Sequence, residues 1–250
     1  MIFRQLFEST SSSYTYLLAC QDSKQAMLID PVLETVDRDL HTLSELGLTL
    51  SYTVETHIHA DHLTGARKLK HLTGCKMAGP AQDRIPCRDI GLEEGKPLVL
   101  GGITLQPIFS PGHTDAHHAY IVEDATHQML FSGDALLIDG CGRTDFQSGS
   151  AEALYNSIHQ KFFVLPGDTL VYPAHDYKGR RVTTIEQERV SNARLGKDKP
   201  MNDFIALMAS LKLPHPQRME FAVPGNQRCG ECPEEAPIEF KKRCSLDPQG

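Results

Sequence analysis

The stretch ETHIHADH, residues 55–62, holds three histidines and an aspartate within six consecutive positions. Neutral imidazoles and carboxylates are the side chains that bind divalent metal ions at neutral pH. The stretch lies where a strand-like run, SYTVETHI (51–58), meets a helix-like run, LTGARKLKHLTG (63–74). Loops at strand ends often carry functional groups, because a rigid sheet aims them. The pattern therefore predicts a metal-binding loop at the end of a strand.

Three later segments have the same form, an apolar run that ends in a polar loop. They are FSPGHTDAHH with His113, FSGDALL with Asp134, and VYPAHDY with His175. We expect several strands to deliver potential ligands to one edge of the sheet structure. His117 and His118 follow His113 closely, and we interpret them as residues at the start of a strand, without a metal role.

Apolar runs of strand length alternate with helical patterns along the chain. The strand-like runs are 26–30, 51–58, 103–110, 117–124, 127–134 and 169–176. The helical patterns are 36–48, 63–74, 151–165 and 184–196, and Gly47 lies near the end of the first. Strands mostly come in adjacent pairs with helices between them. This order predicts an α+β fold in which helices cover the outer faces of sheets.

Composition excludes several classes of function. The 250-residue chain has a net charge of −7 and lacks a long basic run, which argues against nucleic acid as a partner. Its apolar stretches fall short of the ~20 residues that a membrane span needs, so we expect no membrane partner. The amino terminus lacks the features of a secretion signal or an organelle presequence, which predicts a cytoplasmic location.

The seven cysteines are odd in number and scattered, which argues against a disulfide framework and fits a reducing compartment. Cys229 and Cys232 form a C-x-x-C pair with Cys244 nearby, and we interpret these three as free thiols. From about Pro214 the sequence becomes rich in Pro, Glu and Cys, which predicts an irregular, partly ordered tail. We assign residues 1–225 to one catalytic domain and 226–250 to a tail without a domain of its own.

The elements T-H-I-H-A-D-H, S-P-G-H-T, S-G-D and P-A-H-D occur in this order between about residues 10 and 180. In this set the chain resembles the metallo-β-lactamase superfamily. The resemblance implies a four-layer αββα sandwich with the metal at one edge between the sheets. It is specific for the superfamily but not for the reaction.

Two reactions of that superfamily fit the ligand inventory. In a two-zinc hydrolase similar to glyoxalase II, one metal would be held by His57, His59 and His113. The other would be held by Asp61, His62 and His175, with Asp134 as the bridge. Two cations lower the pKa of a shared water, which then attacks a thioester carbonyl. This zinc thioester hydrolase is the alternative function.

Segments outside the ligand set favour a different branch. GCGRTDFQSGS (140–150), VYPAHDYKG (171–179), SNARLG (191–196) and LKLPHPQRMEFAVPGNQRCG (211–230) resemble the persulfide dioxygenases. That resemblance covers nearly the whole chain to about residue 230. It implies an iron enzyme, an oxidoreductase that converts glutathione persulfide, O₂ and water to glutathione and sulfite. Relatives of this branch also suggest a homodimer.

The same resemblance implies one Fe(II) per chain, bound by His57, His113 and Asp134. Two histidines and a carboxylate leave three positions open on an octahedral Fe(II). Zinc has no accessible redox change and does not suit oxygen chemistry. The remaining residues would orient ligands and bound water instead of binding the metal. They are His59, Asp61, His62 and His175.

Glutathione carries two carboxylates, so its pocket should present arginine or lysine side chains. Arg143, Tyr177 and Arg194 lie in the segments that resemble the substrate region of the persulfide dioxygenases. For Arg143, an ion pair with Asp145 or Asp139 is the alternative. Tyr177 follows His175 by two residues and should project from the same loop. Arg194 is expected on a helix, and only the resemblance distinguishes it from a solvated arginine.

Overall fold

The computed structural model of the chain describes residues 1–234 and 236–246. Its strands are β1 Ile2–Glu8, β2 Ser13–Ala19, β3 Gln25–Ile29, β4 Thr49–Val54, β5 Lys76–Pro80, β6 Ile90–Leu92, β7 Leu98–Leu100, β8 Ile103–Phe109, β9 His118–Glu123, β10 Gln128–Gly133, β11 Leu136–Leu137, β12 Gly140–Cys141, β13 Leu170–Pro173 and β14 Thr183–Thr184. Its α-helices are α1 Val36–Glu45, α2 Ala66–Thr73, α3 Ala151–Ser157, α4 Ile185–Ser191, α5 Met201–Ser210, α6 Met219–Asn226 and α7 Ile238–Cys244. Each predicted strand and helix is present, with bounds that differ by a few residues.

The chain forms two compact units. The first comprises 1–91, 100–102 and the described residues from 214 onward, and the second comprises 92–99 and 103–213. The first sheet has the strand order β1-β2-β3-β4-β5-β6, and the second has the order β14-β13-β10-β9-β8-β7. None of the helices in the described ranges has the length and apolarity that crossing a lipid bilayer requires.

The first unit buries one face of its sheet under helices. In α1, Val36 and Leu43 are buried and Leu40 is partly buried, which is the spacing of one helix face. They pack with Leu17 and Leu28 of the sheet. Helix α1 ends at Glu45, three residues before the end of the predicted pattern, and Gly47 follows with a φ of 61°, a left-handed conformation that glycine reaches without strain.

The second unit has its own core of the same kind. Leu154 of α3 and Phe204 of α5 pack against Leu130 and Val171 of the sheet. The predicted helix 151–165 is α3 followed by a π-helical turn, Ile158–Phe162. Ser150 caps α3, because its side chain accepts a hydrogen bond from the backbone N–H of Ala153.

The carboxyl-terminal tail is more regular than predicted. Helices α6 and α7 form within it, and Ala236 and Phe240 belong to the core of the first unit. The prediction of an irregular tail was therefore wrong for the described part, because its apolar residues have a core to pack against. Residues 235 and 247–250, to which the prediction also applied, lie outside the described residues.

The prediction that Cys229 is a free thiol was wrong. Cys229 forms a disulfide with Cys87, 142 residues away. Cys232 and Cys244 are free, as predicted. The sequence did not reveal the pair because Cys87 stands alone in its stretch, and only the fold brings it to Cys229.

Candidate metal centre

Strand pairing in the first unit places Asp30 beside the histidine loop. Strands β3 and β4 are parallel with Ile29 opposite Val54, so the residues that follow them emerge at the same sheet edge. There the Asp30 carboxylate accepts hydrogen bonds from the backbone N–H and the hydroxyl of Thr56, at 2.7 and 2.8 Å. Asp30 has a φ of 50° and is buried. This carboxylate anchors the start of the loop.

The anchor defines the tautomer of His57. The Thr56 hydroxyl donates its proton to Asp30, so its oxygen is left to accept a hydrogen bond from Nδ1 of His57, 2.8 Å away. Protonation at Nδ1 leaves the lone pair of a neutral imidazole on Nε2. Metal-binding histidines are usually oriented in this way, by a hydrogen bond at the other ring nitrogen. Nε2 of the buried His57 is therefore prepared to bind a metal.

His59 faces carboxylates. Its Nε2 lies 3.2 Å from Oδ1 of Asp30 and 3.3 Å from Oε2 of Glu55. Burial alone would lower the pKa of His59, but Asp30 and Glu55 together raise it well above its ordinary value. Nε2 of His59 thus lies between two carboxylates, while its buried Nδ1 has no hydrogen-bond partner among the described residues.

His62 has the orientation of a potential ligand as well. Its Nδ1 lies 3.0 Å from Oδ2 of Asp61, and its buried Nε2 has no hydrogen-bond partner among the described residues. The rings of His57, His59 and His62 are neighbours, with centroids 4.2 Å apart for the first pair and 4.4 Å for the second. The first unit thus brings together the imidazoles that the sequence predicted.

The second unit gathers its potential ligands at one edge of its sheet. Phe109 at the end of β8 pairs with His118 at the start of β9, so the loop between them, which carries His113, lies at that edge. Strand β10 is antiparallel to β9 and parallel to β13. The residues after β10 and β13, Asp134 and His175, therefore emerge at the same edge.

The distances fit a shared cation. Nε2 of His113 lies 3.5 Å from Oδ2 of Asp134, and Nε2 of His175 lies 3.7 Å from Oδ1. His113 is oriented through Nδ1, which is 2.8 Å from the carbonyl oxygen of Arg143 and donates to it. Nε2 of a neutral His113 then carries the lone pair and points toward the carboxylate.

His117 supports the backbone at Asp134, a role that the sequence did not indicate. Nε2 of His117 accepts a hydrogen bond of 3.2 Å from the backbone N–H of Asp134, while its Nδ1 lies 2.9 Å from the hydroxyl of Ser110. His117 therefore fixes the backbone that carries the carboxylate. His118 begins β9, as predicted. No sequence signal distinguished the role of His117, since it depends on strand pairing.

Comparison with known proteins identifies the family. Residues 10–175 match the model of the metallo-beta-lactamase superfamily. The mitochondrial persulfide dioxygenase ETHE1 of Homo sapiens is 48% identical over 231 residues, which are 92% of this chain and 89% of the relative. The crystal structure of ETHE1 from Myxococcus xanthus has a TM-score of 0.88 at 46% identity, covering 92% of this chain and all of that one.

The chain belongs to the persulfide dioxygenases of the metallo-β-lactamase superfamily. A hydroxyacylglutathione hydrolase of Pseudomonas entomophila is 37% identical, over 67% of this chain and 63% of its own length. The metallo-β-lactamase fold predicted from the motifs is confirmed by the family model and the solved structures.

In this persulfide dioxygenase, the G-C-G-R stretch has a structural role beside the candidate ligands His113 and Asp134. The backbone N–H of Gly142 donates a 2.9 Å hydrogen bond to the carbonyl of Asp134, and the next carbonyl, of Arg143, orients His113. A Cβ at Gly142 would lie 2.1 Å from that Asp134 oxygen and 2.8 Å from Nδ1 of His113. Only glycine permits this approach.

The three residues predicted to bind substrate have different surroundings. The Arg143 guanidinium makes two 2.6 Å hydrogen bonds to the Asp145 carboxylate, which is the alternative foreseen for it. Tyr177 is 77% exposed, and its ring stacks parallel to that of His175 with centroids 6.1 Å apart. Its position beside His175 matches the expected projection from one loop.

Arg194 does not lie on a helix, so that prediction was wrong. Helix α4 ends at Ser191, because Asn192 leaves the helical conformation and its side-chain oxygen accepts from the backbone N–H groups of Arg194 and Leu195. The half-buried Arg194 donates a 2.7 Å hydrogen bond to the carbonyl of Cys141. Arg194 is therefore hydrogen-bonded to the G-C-G-R stretch and is not a merely solvated arginine.

Proposed function

We propose that the chain is an iron-dependent persulfide dioxygenase that oxidises glutathione persulfide with O₂ and water to sulfite and glutathione. The observation that carries this proposal is 48% identity over 92% of the chain to a relative named as a persulfide dioxygenase. The similarity extends well beyond residue 175, where the match to the superfamily model ends. It therefore includes the carboxyl-terminal segments that distinguish this branch.

We propose that His57, His113 and Asp134 bind one Fe(II) per chain. The donor set fits such an ion. In both imidazoles the hydrogen bond at Nδ1 favours the tautomer that carries its proton there, which leaves the lone pair on Nε2 for the metal. Oδ1 of Asp134 is buried and makes no hydrogen bond within the described residues, as a metal-binding oxygen would. Bound Fe(II) supplies the redox chemistry with O₂, and a triad of two histidines and a carboxylate leaves positions open for it.

The other residues of the motifs have supporting roles in this proposal. His59 is held between Asp30 and Glu55, whose carboxylate oxygens lie 3.2 and 3.3 Å from its Nε2, and in this proposal it orients the loop instead of binding the iron. Asp61, His62 and His175 would hold water and orient the ligands.

Arg143, Tyr177 and Arg194 remain our proposal for the substrate pocket. Arg143 and Arg194 lie at the G-C-G-R stretch, which orients His113. A carboxylate of glutathione that leaves water needs a compensating cation and hydrogen bonds. The exposed ring of Tyr177 offers a contact surface and a hydroxyl on the loop of His175.

Zinc-dependent hydrolysis of a glutathione thioester is the second candidate. It is favoured by two observations: the buried Nε2 of His62 has no hydrogen-bond partner among the described residues, and Nε2 of His175 lies 3.7 Å from Oδ1 of Asp134. The similarity to a hydroxyacylglutathione hydrolase, 37% identity over 67% of the chain, supports it less strongly.

One experiment separates the two reactions. Protein purified without oxygen is analysed for metals and then assayed in parallel for oxygen uptake on glutathione persulfide and for hydrolysis of S-lactoylglutathione. We expect one iron per chain and uptake of O₂ with formation of sulfite. Two zinc ions per chain with thioester hydrolysis and no oxygen uptake would replace this proposal by the hydrolase. Zinc-loaded protein is the matched control and should not consume O₂.

Four further predictions accompany the proposal. We propose that residues 1–225 act as one catalytic domain with 226–250 as its tail, and that the chain forms a homodimer, which light scattering would measure. Nucleic acid and membranes are not expected as partners. The cytoplasmic location is tested by fractionation, and the human, bovine and mouse relatives are described as mitochondrial.

A further inference from the structure

The end of helix α6 contacts the histidine loop of the first unit directly. Asn226, the last residue of α6, is 5% exposed. Its Nδ2 donates hydrogen bonds to the backbone carbonyls of His59 and His62, at 2.9 and 2.8 Å. Its Oδ1 accepts one from the backbone N–H of Thr64, at 2.9 Å. One carboxamide thus binds three backbone groups of residues 59–64.

The backbone on either side of Asn226 is packed tightly against the same loop. A Cβ at Gly225 would lie 2.5 Å from a side-chain carbon of Leu63, and one at Gly230 would lie 2.6 Å from the carbonyl oxygen of Thr64. Gly230 also has a φ of 87°, which other residues rarely adopt. The disulfide between Cys229 and Cys87 fastens this turn to the segment after β5. Asn226 is therefore held in place from both sides.

The loop depends on these hydrogen bonds because it has little regular structure of its own. Residues 57–63 lie between β4 and α2 and belong to neither. Their backbone groups need partners when they are buried, and unpaired ones are costly. The amide of Asn226 supplies two donors and one acceptor, a combination that neither aspartate nor leucine offers.

We propose that Asn226 is a positioning residue of the metal-binding loop. By fixing the carbonyls of His59 and His62, it fixes the path of the backbone that carries His57, Asp61 and His62. This inference rests on the proposed metal-binding role of that loop. It also gives a physical reason for the stretch FAVPGNQRCG (221–230), which lies outside the region matched by the superfamily model.

The test is the substitution Asn226→Asp, which keeps the size and the acceptor but places an oxygen against two carbonyls. The matched control is Asp39→Asn, a swap of the same two groups at a fully buried position of α1, where Asp39 pairs with Arg38. Affinity for Fe(II) and Co(II) is measured by competition with a chelator. The absorption spectrum of bound Co(II) reports the ligand geometry, and thermal unfolding reports stability.

We expect Asn226→Asp to lower metal affinity about ten-fold or more and to change the Co(II) spectrum, as substitutions next to ligands typically do. Asp39→Asn should keep the affinity and spectrum of the unsubstituted chain. If Asn226→Asp does not fold, Asn226→Ser, which retains one donor, should show the same change to a smaller degree.

Unchanged affinity and spectrum in the Asn226 variants would overturn the inference. An equal loss of affinity in Asp39→Asn would overturn it too, because the effect would then not be specific to position 226. Oxygen uptake by the unsubstituted chain is recorded in parallel. If that chain binds metal but consumes no O₂ with glutathione persulfide, the proposed function fails, while the metal measurements still decide the role of Asn226.

Discussion

Replacing Gly142 with alanine tests whether the G-C-G-R stretch orients the proposed iron ligands. The added Cβ would lie 2.1 Å from the carbonyl oxygen of Asp134, and real Cβ contacts are not shorter than 3.0 Å. The stretch must therefore move by about 0.9 Å, the difference between these two distances. Backbone on both sides of the contact leaves no flexible side chain that could give way.

This movement disrupts two hydrogen bonds. One runs from the N–H of Gly142 to the carbonyl of Asp134, and the other from Nδ1 of His113 to the carbonyl of Arg143. A buried polar group left without its partner costs about 1–3 kcal/mol. Loss of an outer hydrogen bond to a ligating histidine typically lowers metal affinity about 10–100-fold. We expect Gly142→Ala to weaken iron binding by that factor.

The assay is competition for Fe(II) with a chelator under anaerobic conditions, followed by oxygen uptake on glutathione persulfide at saturating iron. Gly140→Ala is the matched control, because a Cβ there meets nothing within 4 Å. It should keep the affinity of the unsubstituted chain within about two-fold. If Gly142→Ala binds iron as tightly as Gly140→Ala, the stretch does not orient His113 and the reasoning is refuted.

Four other substitutions follow from the structure. Asp134→Ala should lose iron and reduce oxygen uptake to background with an unchanged circular dichroism spectrum; full iron occupancy with normal activity would contradict this. Arg194→Ala should raise KM for glutathione persulfide about ten-fold or more, since losing a charge-assisted contact costs about 1.5–3 kcal/mol. Iron content should stay unchanged, and a collapse of kcat alone would show that the pocket assignment is wrong. Cys87→Ser removes the disulfide to Cys229 and should lower the free energy of unfolding in urea by up to about 5 kcal/mol, whereas no change would mean that the disulfide does not form in solution. Burial raises the pKa of Glu8, but hydrogen bonds from the turn that follows it outweigh this effect and lower the pKa from 4.5 to about 2. The ionised carboxylate therefore stabilises the folded chain above pH 4.5, and this contribution is lost as the pH falls toward 2. Glu8→Gln should remove that part of the acid dependence of urea unfolding, and an unchanged dependence would disprove the assignment.

Local patterns were sufficient for much of the fold. The strand at 103–110 and the helix at 36–48 follow from period-2 and period-3.6 apolar spacing, and both are present as β8 and α1. Element ends were less predictable, because they depend on single side chains. The helix predicted to reach residue 196 stops at Ser191, since Asn192 caps it with contacts to its own neighbours and to the carbonyl of Gly140.

The candidate ligands could be named from the sequence because chemistry restricts metal binding to a few side chains, and His57, His113 and Asp134 all follow apolar runs. The tautomers of His57 and His113 could not be predicted from the sequence, because each depends on an oxygen atom of another residue. The partner of His57 is Thr56, whose hydroxyl is directed by Asp30, 26 residues earlier. The partner of His113 is a carbonyl oxygen, which no side-chain pattern reveals.

The sequence by itself determined the classes of element and the set of residues that can bind a metal, because both depend on side-chain chemistry and on short-range spacing. Only the tertiary structure decided which long-range pairs form. Asn226 reaches the carbonyl of His59, 167 positions away, and Cys87 reaches Cys229, because the chain folds these segments into one unit. Such contacts have no local signature, since packing of the sheet and helices around them brings the partners together.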